Sequence, residues 1–162
     1  PQRFDAVAQM IASQGFKVSL RSQWSVDDMG HLQREADDNT ILLGDSLGEM
    51  ALYYGMSDVA LLGGSFEPLG GQNLIEAAAC GCPVVMGPSV FNFAEAAQLS
   101  LQAGAAVQVN AMHLAVQAAC DMVHNREALQ GAQEAALAFA KAHQGAAVKT
   151  ADAIVKLLHQ RH

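Results

Sequence analysis

Residues 59–86 read VALLGGSFEPLGGQNLIEAAACGCPVVM, and this segment is the most informative about the fold class. It opens with a short apolar run and closes with a second one, and such runs are typical of buried strands. Between the two runs, a loop rich in glycine leads into a segment with helical periodicity, Asn73–Cys80. A strand, a helix and a second buried strand in this order predict a parallel pair of strands joined by a crossover helix.

The same alternation of strand and helix periods extends over the rest of the chain. Strands are predicted over residues 16–20, 40–43, 59–62, 83–86 and 105–109. Helices are predicted over residues 3–13, 47–56, 73–80, 92–103, 111–124, 126–143 and 146–159. Five short strands separated by helices predict an α/β fold with a Rossmann-like, doubly wound parallel sheet that helices cover on both sides. The polar segment 21–39 has no period and is interpreted as a loop or as partly helical.

Length and composition limit the class of protein. The 162 residues predict one domain, and hydrophobic residues make up 51% of them against 15% charged residues, which excludes intrinsic disorder. The net charge is −7 and the basic residues form no cluster, so a surface that binds duplex nucleic acid is not expected. The sequence contains neither an apolar run long enough to span a bilayer nor a signal peptide. Because it begins with Pro1 and not with methionine, we expect a piece of a longer protein.

Cysteine and histidine residues give little indication of metal or redox chemistry. Cys80, Cys82 and Cys120 have neither disulfide nor zinc-ribbon spacing and are interpreted as small buried hydrophobic residues in a reducing cytosol. No two of the six histidines have the spacing of a metal-binding pair. We therefore predict no metal site.

The glycine-rich loop between the two buried strands is the strongest candidate for a binding site. Its two glycine pairs, Gly63–Gly64 and Gly70–Gly71, allow positive φ angles and let a ligand approach the backbone. The second pair stands at a predicted helix start, where unpaired N–H groups favour anions. Asn73 and Glu76 have the spacing of a variant capping box, but Glu76 could equally accept hydrogen bonds from ribose hydroxyls. The two interpretations are compatible, and together they predict a sugar nucleotide lying across the helix start.

A second candidate contact is Asn92, which opens the helix predicted after Gly87–Pro88. The first interpretation is an N-cap accompanied by a hydrophobic staple. The alternative is a contact to an anion in a cleft.

Residues 63–93, GGSFEPLGGQNLIEAAACGCPVVMGPSVFNF, closely resemble the signature of the 3-deoxy-D-manno-octulosonic acid (Kdo) transferases. The preceding residues 44–64, GDSLGEMALYYGMSDVALLGG, are also similar to that family, and the resemblance extends from residue 1 to about residue 109. It implies the C-terminal, donor-binding half of a two-domain GT-B glycosyltransferase. The chain would then be a single Rossmann-like domain over 1–162, with a helical tail over 110–162 and the N-terminal acceptor domain lying outside it. The extra C-terminal helices are interpreted as a cap or a brace toward another domain.

The resemblance also implies the reaction. The donor would be CMP-Kdo and the acceptor the lipid A precursor of lipopolysaccharide, at the cytoplasmic face of the bacterial inner membrane. The transfer would need no metal or other cofactor, and the base that activates the acceptor hydroxyl would belong to the N-terminal half. The isolated chain is therefore expected to be soluble, to be inactive, and to depend on the parent protein for membrane association.

The donor-nucleotide residues that the resemblance implies are Arg3, Gly48, Glu49, Met50, Gly63, Gly64, Ser65, Gly70, Gly71, Gln72, Asn73 and Glu76. Arg3 would pair with the phosphate, and residues 48–50 would contact the edge of the cytosine, largely through backbone groups. Residues 63–65 would form the floor of the phosphate site, Asn73 would cap it and Glu76 would hold the ribose. Gln72 stands where the family often has histidine, and Gln2 where it often has glutamate.

Two alternatives remain open at this stage. The chain could be the donor domain of another GT-B transferase, or of an epimerase, that uses a UDP-sugar. It could also be a non-catalytic module that binds a nucleotide.

Overall fold

The computed structural model describes residues 3–26, 32–33 and 37–143, which divide into two compact units. Unit 1 is Pro1–Tyr53 and unit 2 is Tyr54–His162. Within unit 1 the elements are α1 (Phe4–Ser13), β1 (Lys17–Leu20), β2 (Ser25–Val26), β3 (Leu32–Gln33) and β4 (Thr40–Leu43). Helix α2 (Met50–Gly55) runs across the division between the units. Unit 2 contains β5 (Ala60–Leu62), α3 (Leu74–Ala79), β6 (Val84–Met86), α4 (Ala94–Gln102), β7 (Ala106–Gln108), α5 (Met112–His124) and α6 (Arg126–His143).

Unit 1 is built on the parallel pair β1 and β4, with Lys17 beside Thr40 and Leu20 beside Leu43. Helix α1 packs against both strands. Because parallel strands end at the same edge, the segments that follow Leu20 and Leu43 emerge together. A 3-10 helix over Arg21–Gln23 follows β1 directly.

Unit 2 is built on three parallel strands in the order β5-β6-β7. The central strand β6 is wholly buried, as expected for a strand covered on both faces. Its residues pack with the buried faces of α3 and α6 and with Ala97 of α4 in one hydrophobic core.

Helix α6 contributes directly to that core. It packs along α3 and buries Ala132, Ala136, Phe139 and Ala140. The interpretation of the C-terminal helices as only a cap or brace therefore underestimates α6, which is a core element of unit 2.

The predicted parallel α/β class is confirmed, and all five predicted strands are present in parallel pairs. The polar segment 21–39 differs from its interpretation, because it contains the short antiparallel pair β2-β3 besides the 3-10 helix. Two predicted helices begin later than expected, at Met50 and at Ala94. The helix predicted over 146–159 lies outside the described residues, and the arrangement as one donor domain with a helical tail stays a prediction.

No helix in the described ranges has both the length and the apolar character that a membrane span requires.

Candidate functional site

The glycine-rich loop of unit 2 begins where β5 ends. Gly63–Phe66 form a 3-10 helix, and the loop then runs to α3 through Gly70 and Gly71. These two glycines have φ angles of 83° and 81°, a region that side chains with a Cβ rarely adopt. The prediction that the second glycine pair supplies positive φ angles is confirmed. Gly63 has no atom within 4 Å of the position that a Cβ would take, so its backbone faces open space.

Asn92 fixes the tip of this loop. Its side-chain amide donates to the carbonyl of Leu69 at 3.2 Å, and its backbone N–H donates to the carbonyl of Gly70 at 3.2 Å. A Cβ on Gly70 would lie 2.3 Å from the Asn92 Nδ2 atom, so the two residues are in close contact. The backbone N–H of Gly70 in turn donates to Ser89 Oγ at 3.1 Å.

The predicted N-cap role of Asn92 is wrong. The N-cap of α4 is Phe93, which has no side-chain capping bond, and Asn92 lies in a 3-10 turn before it. Its amide contacts the glycine loop 23 residues earlier in the chain, a separation at which local spacing gives no signal.

Ser65 lies beneath the loop and not on its surface. Its side chain has 0% exposure, donates to the Leu62 carbonyl at 2.5 Å and accepts from the Gly87 N–H at 2.6 Å. The Ser65 carbonyl also accepts from the Ser89 N–H at 2.9 Å. Ser65 thus ties the end of β5 to the end of β6, and its hydroxyl supports the loop from within. Its predicted place in the floor of a phosphate site stays a prediction.

Asn73 caps α3, as predicted. Its Oδ1 atom accepts from the Ile75 N–H at 3.1 Å, and its Nδ2 atom donates to Glu76 Oε1 at 2.9 Å. The variant capping box is therefore only half formed, because Glu76 bonds to the side chain of Asn73 in place of its backbone N–H. Both Glu76 and Gln72 are exposed, which leaves their remaining hydrogen-bonding groups open to a ligand.

In unit 1, the predicted site residues lie at the starts of two helices. Arg3 is exposed and precedes α1, where its carbonyl accepts from the Val7 N–H at 3.0 Å. Gly48 has a φ angle of 79°, which accounts for glycine at that position. Met50 begins α2 and is exposed. The predicted contacts of Arg3 and of residues 48–50 with a nucleotide stay predictions.

The carboxylate of Glu49 is held on both of its oxygens. Arg21 Nη2 donates to Oε1 at 2.7 Å, while Ser46 Oγ and Tyr53 OH both donate to Oε2, the latter at 3.3 Å. The hydrogen bond from Ser46, together with the charge of Arg21, holds the pKa of Glu49 below its ordinary value. Sequence reasoning selected Glu49 but missed Arg21, Ser46 and Tyr53.

Asp45 is held in the same way by the residue after Arg21. The backbone N–H of Ser22 donates to Oδ1 at 2.8 Å and its hydroxyl donates to Oδ2 at 2.5 Å. These bonds from Ser22 lower the pKa of Asp45. The segment 45–49 after β4 is therefore attached twice to the 3-10 helix after β1.

The cysteines divide by burial, and none of the three forms a disulfide. Cys82 is buried, and its burial raises the pKa of its thiol to about 11, so the group stays neutral at ordinary pH. Cys120 is exposed, so its interpretation as a buried hydrophobic residue is wrong. In the part of the chain that the structure describes, no three His, Cys, Asp or Glu side chains come together as metal ligands could.

Residues 31–139 match the family described as glycosyl transferases group 1. The chain is 43% identical over 154 residues to a 3-deoxy-D-manno-octulosonic acid transferase of Bordetella pertussis, covering 95% of this chain and 34% of that protein. It is 33% identical over 136 residues to the transferase of the same name from Haemophilus influenzae, covering 82% of this chain and 30% of that protein. The chain thus spans about a third of the length of these curated relatives.

A solved structure is similar over most of the chain. It is the C-terminal CMP-Kdo binding domain of WaaA from Acinetobacter baumannii, with a TM-score of 0.73 and 28% sequence identity. The similarity covers 86% of this chain and 68% of that one.

Proposed function

Because the chain belongs to the group 1 glycosyl transferases, we propose that it is the donor-binding domain of a Kdo transferase and that it binds CMP-Kdo. The observation that carries the proposal is the similarity, over 86% of the chain, to the C-terminal CMP-Kdo binding domain of WaaA. The two transferases from Bordetella pertussis and Haemophilus influenzae support the same assignment.

The glycine loop of unit 2 supports the binding of a phosphorylated ligand. Gly63 is exposed and has open space at its Cβ position, whereas Gly70 is buried and Gly71 is half-buried, and both pack against residues 89–92. Internal hydrogen bonds from Ser65 and Asn92 hold the loop in shape, so little ordering would be required when a ligand arrives. In this proposal the loop takes the phosphate and the exposed carboxylate of Glu76 accepts from the ribose.

For the whole protein, we propose transfer of Kdo from CMP-Kdo to the lipid A precursor of lipopolysaccharide. The reaction would take place at the cytoplasmic face of the bacterial inner membrane. The general base that takes the proton of the acceptor hydroxyl would belong to a further domain of the whole protein. Donor binding would need no metal ion.

Calorimetric titration of the chain with CMP, UMP and UDP tests the proposal. CMP is the expected ligand, with at least roughly tenfold weaker binding of UMP, equivalent to about 1.4 kcal/mol. Addition of EDTA should leave the CMP affinity unchanged. Preference for UDP would contradict the proposal and would favour a transferase or epimerase that uses a UDP-sugar.

A transfer assay tests whether the acceptor base belongs to a further domain of the whole protein. The 162-residue chain, mixed with CMP-Kdo and a lipid A precursor, should form no product, because it would lack the acceptor base. Turnover by the chain alone would contradict this part of the proposal.

A further inference from the structure

Arg21 is not among the residues proposed to contact the donor. Its Nη2 atom lies 2.7 Å from Glu49 Oε1, and its guanidinium lies 5.5 Å from the centre of the Trp24 ring. The side chain is largely buried, and its Nε atom has no hydrogen-bond partner among the described residues. A buried N–H without a partner costs free energy, so this position of the guanidinium is maintained by its other contacts.

These contacts fix a short backbone segment. Glu49 follows Gly48, whose φ angle of 79° makes the chain turn sharply just before α2. Glu49 bonds to Ser46 and Tyr53 on one oxygen and to Arg21 on the other. Only the bond to Arg21 reaches outside the segment 46–53, across 28 residues of sequence. Arg21 therefore helps to fix where this turn stands relative to β1, together with the bonds of Ser22 to Asp45.

A fixed backbone matters most where recognition uses backbone groups. A side chain can adjust its rotamer to a ligand, whereas a peptide N–H or carbonyl is only as well placed as the chain that holds it. Residues 48–50 are the ones that resemblance to the Kdo transferases assigns to the edge of the base. Loosening that turn would reduce discrimination between bases more than it would reduce contact with the phosphate.

We infer that Arg21 is a positioning residue for nucleobase selectivity, acting through its ion pair with Glu49 on the backbone of residues 48–50. The inference rests on the proposed function. Arg21 itself would touch no ligand, and Ser22, bonded to Asp45, supports the same segment from the next position.

The test compares the variants Arg21→Met and Glu49→Gln with the control Lys17→Met. Lys17 also forms an ion pair, with Asp37 in the same unit, but that pair is exposed and stands where the strand pair begins, with Lys17 beside Thr40, whereas residues 45–49 follow the end of β4. Affinities for CMP, UMP and cytidine are measured by calorimetry, and folding is checked by circular dichroism.

We expect Arg21→Met to weaken CMP binding roughly tenfold and to lower the ratio of CMP to UMP affinity at least roughly threefold. The affinity for cytidine should fall in parallel with the affinity for CMP, because the two ligands share the base. The double variant should bind no more weakly than the weaker single variant, since both changes break one interaction. Lys17→Met should leave the affinities and the ratio unchanged.

Three outcomes with the variants would overturn the inference while leaving the proposed function standing. An unchanged CMP to UMP ratio in folded Arg21→Met would show a merely structural role. A loss for CMP without a loss for cytidine would show direct contact with the phosphate, and additive losses in the double variant would show that Arg21 does not act through Glu49. If Arg21→Met does not fold, Glu49→Gln must lower the ratio by itself. Wild-type chain that binds no CMP would overturn the proposed function, and this inference with it.

Discussion

The loop of unit 1 over residues 45–49 and the glycine loop of unit 2 over residues 63–73 are held by different forces. Charged groups hold the first, through the ion pair of Arg21 with Glu49 and the bonds of Ser22 to Asp45. Neutral groups hold the second, through the Ser65 hydroxyl, the Asn92 amide and glycine positions with no room for a Cβ. One chain thus shapes two loops by distinct means, which respond differently to substitution and to pH.

The largest effect is expected at Gly87, which follows β6 and packs against the backbone of Ser65 in the glycine loop. A Cβ on Gly87 would lie 2.5 Å from the Ser65 backbone oxygen, and a backbone atom cannot move away cheaply. Gly87→Ala should destabilise unit 2 by about 3 kcal/mol, measured by urea unfolding.

Gly131→Ala is the matched control, because Gly131 lies within α6 and has nothing within 4 Å of its Cβ position. This change should stabilise the helix by about 0.5–1 kcal/mol. Equal effects of the two substitutions would contradict the close approach of Gly87 to Ser65.

The next effect concerns the hydroxyl beneath the same loop. Ser65→Ala should cost about 2 kcal/mol of unfolding free energy, because it leaves the buried N–H of Gly87 without an acceptor. Ser100→Ala should cost much less, although Ser100 is equally buried, since its hydroxyl bonds only to Ala97 within its own helix. A cost below about 0.5 kcal/mol for Ser65→Ala would contradict a supporting role of that hydroxyl.

A smaller effect separates capping from ligand binding at Glu76. Unlike Glu49, Glu76 bonds to a neutral amide and is exposed. If Glu76 holds the ribose, Glu76→Gln should weaken CMP binding roughly tenfold, or about 1.5 kcal/mol, with little change in unliganded stability.

The control for that experiment is 2′-deoxy-CMP. It should bind the wild-type chain more weakly than CMP does, and most of that difference should disappear in Glu76→Gln. Equal binding of the two nucleotides by the wild-type chain would leave Glu76 with a capping role alone.

The smallest effects are opposite responses of the two units to pH. In unit 1, Lys17 and Thr40 lower the pKa of Asp37 to about 2 from its ordinary 3.8. A carboxyl with a lowered pKa stabilises the folded state when the pH is above its ordinary pKa, and this stabilisation is lost as the pH falls toward 2. The pKa values of Asp45 and Glu49 are also lowered, so their contributions change with pH in the same direction. In unit 2, the pKa of Cys82 is raised from 9.0 to about 11, so its contribution is complete below pH 9 and lost as the pH rises through 11.

Two probes can follow these responses separately. Trp24 is the only tryptophan and lies in unit 1, whereas α3 to α6 of unit 2 contribute to the far-ultraviolet circular dichroism. Urea midpoints from Trp24 fluorescence should fall in acid, and those from circular dichroism should fall in alkali. Asp37→Asn should reduce the fall of the urea midpoint in acid, and Cys82→Ala should reduce the fall in alkali. An unchanged fall in either variant would contradict the role given to the substituted residue.

Much of the fold was predictable from local pattern. The bounds of β4 and α6 agree with the predicted ones, Thr40–Leu43 and Arg126–His143, because apolar periodicity and end signals coincide there. The pair β2-β3 was missed, since strands of two residues are too short to show alternation. Gly44, which directly follows β4, leaves room for the Tyr53 ring, which would lie 2.7 Å from a Cβ, and no local pattern could reveal this contact.

The candidate site was predictable where it depends on neighbours in sequence and not where it depends on tertiary contact. The cap at Asn73 and the positive φ angles of Gly70 and Gly71 follow from residue type and position. The partners of Ser65, Asn92 and Glu49 are 22, 23 and 28 residues away, so no local spacing could reveal them. Hydroxyl and amide groups have several possible acceptors, and the fold decides among them.

The alanines of α6 have a consequence for how this domain can change over generations. Ala132, Ala136 and Ala140 recur at intervals of four and are buried on α6, which packs along α3. Small side chains let two helices approach closely, so the width of one methyl group sets the spacing between them. A larger residue at Ala136 would displace α3, whose first residue follows Asn73 and the glycine pair. Substitution of these alanines would thus shift the glycine loop before α3. The three alanines act as spacers that keep this loop in position.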